Sequence, residues 1–354
     1  MQLHQVLVGA APHDAITNMA RRLRTVLERC GESRIYAQHV LPGVEDVEKL
    51  LRFPRAGSES GLIVFHASYG DPDVFRFLLG RPEPIVLVFH NLSPVEEFQL
   101  SDPSRAAMLM WGWRELELLR PRVRLSVADS AFNARDLEGA GYRDVHVIPV
   151  GVDVGRLART LPDPNAMATF APFAGDPLLV FVGQTLPHKR IDVLVHAQLL
   201  LDRRGIRSTL AVVGVPTDLV LARGLAELAR DLDVPRCVML GALGDDALAA
   251  VMRHADVFVT ASEHEGLCLP VLEAMAMGVP VIARGAAALP ETVGSGGLVL
   301  DRGAGPEAFA EAVAMLHHDP VLHGELAFRG RRQAESFGLD HNLARFLDVL
   351  AGVI

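Results

Sequence analysis

Twice along the chain, strand-length apolar runs alternate with stretches whose apolar residues recur at helical spacing. In the first half Gln5–Val8, Leu62–Phe65, Ile85–Phe89, Leu125–Ala128 and Val145–Val150 predict strands. After Asp14 the residues Ile16, Met19, Ala20, Leu23, Val26 and Leu27 share one helical face, which predicts a helix capped by Asp14 and stopped by Gly31. Ser130 caps a further predicted helix that ends at Gly141. The periodicity then fades from Asp153 to Pro177, where Pro162, Pro164, Pro172 and Pro177 predict a connecting segment. A second series follows, with strands Leu178–Val182, Thr209–Val213, Cys237–Leu240, Val257–Val259, Val279–Ala283 and Leu298–Leu300. The tail His341–Val349 is a short amphipathic helix able to pack on either half.

Strands separated by helices predict parallel sheets with helices on both faces, an α/β fold. The expected organisation is a doubly wound, Rossmann-like domain over residues 1–155, a linker over 156–177, a second such domain over 178–335, and a C-terminal helix over 336–354 that packs back on the first. Ligands of such sheets lie beyond the carboxyl ends of the strands, so a cleft between the domains is the expected site.

Composition narrows the function. A formal net charge of −9 argues against nucleic acid as the main partner, because a phosphate backbone needs a basic face. The apolar runs stop far short of the roughly 20 residues of a spanning helix, and Met1–Ala11 lacks the basic start and cleavage site of a secretion signal, so a cytoplasmic protein is expected. Cys30, Cys237 and Cys268 are odd in number and far apart, and apart from His264 near Cys268 none has a neighbour that could begin a ligand set, so neither a disulfide nor a structural zinc is expected. The loop Gly9–Ala15 lacks a G-x-G-x-x-G triplet, the second strand ends at Gln38 rather than at an acid, and there is no P-loop, which speaks against a nicotinamide cofactor. Only two lysines occur, Lys49 and Lys189.

The most informative segment is Ser262–Ala283, S-E-H-E-G-L-C-L-P-V-L-E-A-M-A-M-G-V-P-V-I-A. It leaves a strand, turns at Glu265-Gly266, starts a helix around Pro270 and stops at Gly278. Glu265 then sits at the helix mouth, and Glu273 about two turns inside, where a carboxylate can accept from vicinal hydroxyls. The amides around Gly266, Leu267 and Cys268, with the helix dipole, suit a diphosphate. This string resembles the signature of the retaining GT-B glycosyltransferases of family 4, E-G-x-x-x-P-x-x-E-A-M-A-x-G-x-P-V. Glu265 and Glu273 match its glutamates, and Pro270, Ala274, Met275, Gly278 and Pro280 match its frame.

The resemblance implies that Glu265 contacts the donor sugar, that Glu273 contacts the ribose, and that Gly266, Leu267, Cys268 and Leu269 hold the diphosphate. Val180–Ile191, V-F-V-G-Q-T-L-P-H-K-R-I, resembles the family's strand, glycine, arginine and later lysine. Lys189 fills the lysine position and would neutralise the leaving diphosphate. Gln184 stands where the family has arginine, and Arg190 is the candidate to compensate. Gly183, Leu243 near the nucleobase, and Gly9 complete the implied donor site. His90 matches a family histidine near the reacting carbon, and the stretches around His66 and His90 resemble a branch with paired strand-end histidines. Asp14 and His66 are the acceptor-side candidates, and Asp14 is equally a helix cap.

The implied reaction moves a sugar, with retention and without a metal, from a UDP- or GDP-linked donor to a hydroxyl of a saccharide, lipid-linked or small-molecule acceptor, with membrane contact at most peripheral. Two other readings stand beside it. One is a nucleotide-sugar-binding subunit without turnover, prompted by Gln184. The other is a GT-B hydrolase or epimerase of sugar nucleotides.

Overall fold

The computed structural model describes residues 1–12, 14–54, 61–170, 176–234 and 236–353, with 168–170 described by backbone alone. Pro172 and the loop residue His13 lie outside the described residues. The chain forms two compact units, Met1–Val152 with Gly338–Ile354, and Asp153–Phe337.

The first unit holds the strands β1 (Leu3–Ala10), β2 (Ile35–Val40), β3 (Glu48–Lys49), β4 (Leu62–Ala67), β5 (Ile85–Phe89), β6 (Val123–Ala128) and β7 (His146–Val147). They form one parallel sheet in the order β3-β2-β1-β4-β5-β6-β7. Every residue of β4 and β5 is buried, as expected of central parallel strands covered on both faces. β2 runs two residues beyond the expected Gln38. The expected strand Val145–Val150 pairs only at His146 and Val147, because Pro149 has no amide to continue the ladder. One face of the sheet packs Leu3, Leu23, Val64 and Val86 against Leu343, Phe346 and Leu350, which places the helix Leu339–Ala351 in this unit's core.

The order reverses at β1, flanked by β2 and β4, so the chain segments leaving β1 and β4 part company beyond Ala10 and Ala67. Behind the second exit the helix Pro103–Leu119 presses close: a Cβ on Gly70 would lie 2.4 Å from the Gly112 nitrogen, so both positions need glycine. Glu115 on this helix is buried and accepts from the Asp71 amide at 3.2 Å. Asp71 in turn caps the helix Pro72–Leu79 and bonds His39 Nε2 at 2.9 Å.

The second unit holds β8 (Leu178–Val182), β9 (Thr209–Val213), β10 (Cys237–Gly241), β11 (Val257–Thr260), β12 (Val281–Arg284) and β13 (Gly297–Leu300). All neighbours are parallel, in the order β10-β9-β8-β11-β12-β13, so the reversal falls at β8 and β11. β12 begins after Pro280, two residues later than the pattern suggests, since proline cannot donate to the ladder. Residues 156–177, expected to be a bare connection, carry helices at Arg156–Arg159 and Pro164–Phe170 that pack within the second unit. A proline at the start of the second of these is compatible with helix, because its missing amide would have had no partner there.

Burial raises the Glu115 carboxyl from the 4.5 of a free glutamate to about 7, against the opposing pull of the Asp71 amide. The native state therefore holds this proton more tightly than the unfolded chain, and stability should fall as pH rises from about 4.5 to about 7, by up to about 3 kcal/mol. Glu115→Gln should match the parent chain below about pH 5 and exceed its stability above about pH 7. Thermal melts across that range check it, and parallel curves for the two proteins would refute it.

Candidate functional site

In the second unit, the loop after β11 runs from Ala261 to Cys268 and feeds the helix Leu269–Met277. Pro270 sits in its first turn, and Gly278 closes it with φ of 78°. Cys268, the residue before the helix, has φ of 64° and ψ of 68°, a left-handed conformation rare for a residue with a Cβ. It has no side-chain cap, and the amides of Gly266, Leu267, Cys268 and Leu269 have no hydrogen-bond acceptor among the described residues. A helix start with unused amides is a ready place for an anion. The Leu267 carbonyl accepts from Thr292 Oγ1 at 2.6 Å, and the Glu265 carbonyl from the Ala288 amide at 3.2 Å, so the loop is pinned from its far side.

Lys189 reaches this mouth from the loop after β8. Its Nζ donates to Glu265 Oε1 at 2.7 Å, with both side chains mostly buried. The meeting follows from topology: β8 and β11 are neighbours at the reversal, and Glu263 N donates to His188 O at 2.8 Å, tying the two exit loops together. Gly183 continues β8 by donating to Val213 O at 2.9 Å, while Gln184 beside it is exposed. Arg190 is held on two sides, by Asp192 through two bonds and by Glu263 Oε1 at 2.5 Å. Its guanidinium is committed within the protein, which removes it as a ready substitute for the arginine missing at 184. Leu243 lies half-buried between β10 and the helix Asp245–His254.

Glu273 is 3% exposed on the helix Leu269–Met277. Burial raises its carboxyl above the ordinary range, against the pull of Arg156. Arg156 Nη2 donates to Glu273 Oε1 at 2.8 Å, and the same guanidinium pairs with Asp245. The pair Glu273–Arg156 was not legible in the sequence, because Arg156 stands 117 residues away in a stretch read as linker. Glu263 and Arg284 were also missed. Arg284 is 5% exposed at the end of β12, donates to the Arg302 carbonyl at 3.2 Å and lies 3.6 Å from Glu263. Burial raises the Cys268 thiol well above its ordinary value, so it stays protonated.

The first unit gathers a second set of candidates. His66, the penultimate residue of β4, and His90, following β5, meet through Nδ1 and Nε2 at 2.8 Å. His66 Nε2 also bonds Gln5 Oε1 at 2.9 Å, and His90 Nδ1 bonds Asp129 Oδ2 at 2.6 Å. Both ring nitrogens of each histidine are therefore used inside the protein. Neither imidazole is a free arm for a ligand. Gly9 makes room for Tyr69, whose hydroxyl would lie 2.6 Å from a Cβ at that position. Asp14 serves as a helix cap, accepting from Thr17 N at 2.8 Å and Thr17 Oγ1 at 2.7 Å.

Comparison with known proteins places these features in context. Residues 176–319 match the family described as group 1 glycosyl transferases. The chain is 31% identical over 274 residues to a protein of Rhodococcus erythropolis named D-inositol 3-phosphate glycosyltransferase, covering 75% of this chain and 62% of that protein. It is 34% identical over 277 residues to the protein of the same name from Actinosynnema mirum, covering 75% and 66%. The chain thus spans a little under two thirds of the relatives it matches. Among solved structures it resembles sucrose-phosphate synthase of Thermosynechococcus elongatus, with a TM-score of 0.80 at 18% identity over 100% of this chain and 99% of that one. It also resembles the Anabaena protein HepE in complex with UDP-glucose, with a TM-score of 0.78 at 16% identity over 99% and 100%.

Removing one partner of a buried ion pair leaves the other charge uncompensated. Arg156→Ala should therefore destabilise the protein by about 3 kcal/mol, and adding Glu273→Gln should recover part of that loss. Urea unfolding of both single variants and the double one measures the coupling, and strictly additive effects would dismiss it.

Proposed function

We propose that the chain is a group 1 glycosyltransferase, supported by the family match over residues 176–319 and by relatives 31–34% identical, and that it transfers a hexosyl group from a nucleotide-diphosphate sugar to an acceptor hydroxyl with retention. The observation that carries the proposal is the helix mouth: unused amides from Gly266 to Leu269 beside the Lys189–Glu265 pair. These amides and Lys189 would hold the diphosphate, Glu265 the donor sugar and Glu273 the ribose. Lys189 has three N–H donors and uses one on Glu265, so two are left for phosphate oxygens. Uridine diphosphate is the donor carrier we favour, supported by fold neighbours solved with UDP-glucose and with UDP-2-fluoro glucose. The acceptor we assign is a hydroxylated saccharide or small molecule, supported by relatives named for a cyclitol phosphate.

In this reaction the bond from the anomeric carbon to the diphosphate breaks and a bond to the acceptor oxygen forms on the same face. The proton of the acceptor hydroxyl passes to the departing phosphate oxygen. The protein then supplies position and charge: Lys189 and the helix amides stabilise the negative charge that grows on the leaving group. This division needs no enzymic base and no metal in the proposed scheme. Gln184 supports one alternative, binding without turnover, because a neutral side chain adds nothing to charge stabilisation.

A thermal-shift panel of UDP, GDP and ADP with their sugars should show stabilisation by the uridine series, of about 2.7 kcal/mol at a hundredfold excess over Kd. Lys189→Ala should lower kcat by about two orders of magnitude. Glu273→Ala should weaken donor binding by about tenfold. Normal kinetics in both variants would sink the proposal, and donor binding without transfer to any of a set of polyol and saccharide acceptors would favour the silent binder.

A further inference from the structure

Four neighbouring strands of the first sheet, β1, β4, β5 and β6, each contribute one side chain to a continuous line: Gln5, His66, His90 and Asp129, the last two lying just past β5 and β6. The protons in this line can be counted. Gln5 Nε2 donates to the Ala20 carbonyl at 3.0 Å, which fixes the amide so that Oε1 faces His66. A carbonyl oxygen only accepts, so His66 Nε2 carries a proton. The contact between His66 Nδ1 and His90 Nε2 needs a second proton, and the contact between His90 Nδ1 and Asp129 a third. Two neutral imidazoles supply only two.

The geometry leaves no room for an idle contact at the centre. The ring planes are parallel within 2° and the centroids lie 5.1 Å apart. Face-to-face rings cannot bring atoms closer than about 3.5 Å, yet the nitrogens are 2.8 Å apart, so the rings lie end to end in nearly one plane and the bond points along it. Without a shared proton, two lone pairs would face each other there. Two places are open to the third proton, the imidazole pair and the Asp129 carboxyl. Imidazole is the more basic by about two to three pK units in ordinary surroundings, which puts the proton on the pair. Within the pair, burial holds His66 well below its ordinary value, with the charge on His90 adding to the effect. The charge therefore belongs to His90, beside Asp129.

What this charge holds in place is the main chain. The His90 side chain is 3% exposed although the residue as a whole is half-buried, so its exposed surface is backbone. Asn91, next along, has φ of 92° and donates from Nδ2 to Asn133 Oδ1 at 2.7 Å. The His90 amide is also tied, to the Ala67 carbonyl at 2.9 Å. A turn in an uncommon conformation is thus anchored by two side chains at the carboxyl end of β5.

We infer that His66, Asp129 and Gln5 are positioning residues that keep His90 as an imidazolium and so hold the His90–Asn91 turn with its backbone presented to ligand. Among the described residues, the charged or titratable groups bonded to the pair are Asp129 from beyond β6 and each imidazole itself; β1 and the helix Ala15–Leu27 meet it with the neutral Gln5 amide and Ala20 carbonyl. The proton count stands on this unit alone, whereas its effect on turnover rests on the glycosyltransferase reading.

Nitrogen-15 spectra of histidine-labelled protein at neutral pH test the count without any activity. Both His90 nitrogens should register as N–H, and one His66 nitrogen as unprotonated, with His66→Gln and His90→Gln variants assigning the signals. A neutral His90 ring would overturn the inference while leaving the glycosyltransferase reading untouched. Asp129→Asn removes the counter-charge, so the extra proton should leave at lower pH. The alkaline limb of UDP-glucose consumption should then move down by about one to two pH units, whereas a drop by one constant factor at every pH would mark Asp129 as merely structural.

Discussion

A parallel strand returns to its sheet only through a right-handed crossover, so a sheet that grows in both directions from a central strand must send neighbouring chains to opposite faces. Between those neighbours no helix covers the carboxyl ends. Both sheets have this reversal, at β1 and β4 and at β8 and β11. Lys189 and Glu265 leave the second pair and meet at 2.7 Å, while Gln5 and His66 belong to the first pair and meet at 2.9 Å. Residues far apart in sequence are brought together because their strands are fixed neighbours.

The two units use charge differently. In the second, Lys189 and Glu265 keep 14% and 12% of their side-chain surface, and the amides beside them have no partner among the described residues. A pair with residual access to water can exchange one partner for an anion at modest cost. In the first, His90 and Asp129 keep only 3% and 4%, and their hydrogen bonds are closed within the protein. Breaking such a pair would strand a charge without solvent. Physical reasoning therefore gives the first kind of site to recognition and the second to holding a shape.

The sequence disclosed what is local. Glu265, Gly266 and the helix that starts at Leu269 lie on one short segment whose spacing fixes their relation, and most strands follow from the apolar runs, while their order in each sheet was not read from them. What depended on distant meetings was hidden. Arg156 carried no spacing signal because its partner Glu273 is 117 positions away, and proline-rich sequence around it disguised two helices. The resemblance marked His66 and His90 as paired strand-end histidines, but their mutual hydrogen bond needs the register of β4 beside β5. Gly9 was read as a ligand position, whereas the Tyr69 hydroxyl occupies the space its missing side chain leaves.

The left-handed conformation of Cys268 ties these themes together. A residue with a Cβ costs roughly 1–2 kcal/mol in that region, and glycine would avoid the cost. Burial pushes its thiol well above the ordinary value and keeps it protonated, so reactivity does not explain the side chain. What the conformation achieves is geometric: it turns the chain sharply before Leu269 and leaves the amides from Gly266 onward outside the helix's own hydrogen bonding. The buried side chain meanwhile adds packing beneath the loop that glycine could not. A strained backbone residue held by its own burial is thus the local counterpart of the turn at Asn91, which tethered side chains hold at φ of 92°. In both units a backbone turn in an uncommon conformation is held by the burial or the hydrogen bonds of its own side chains.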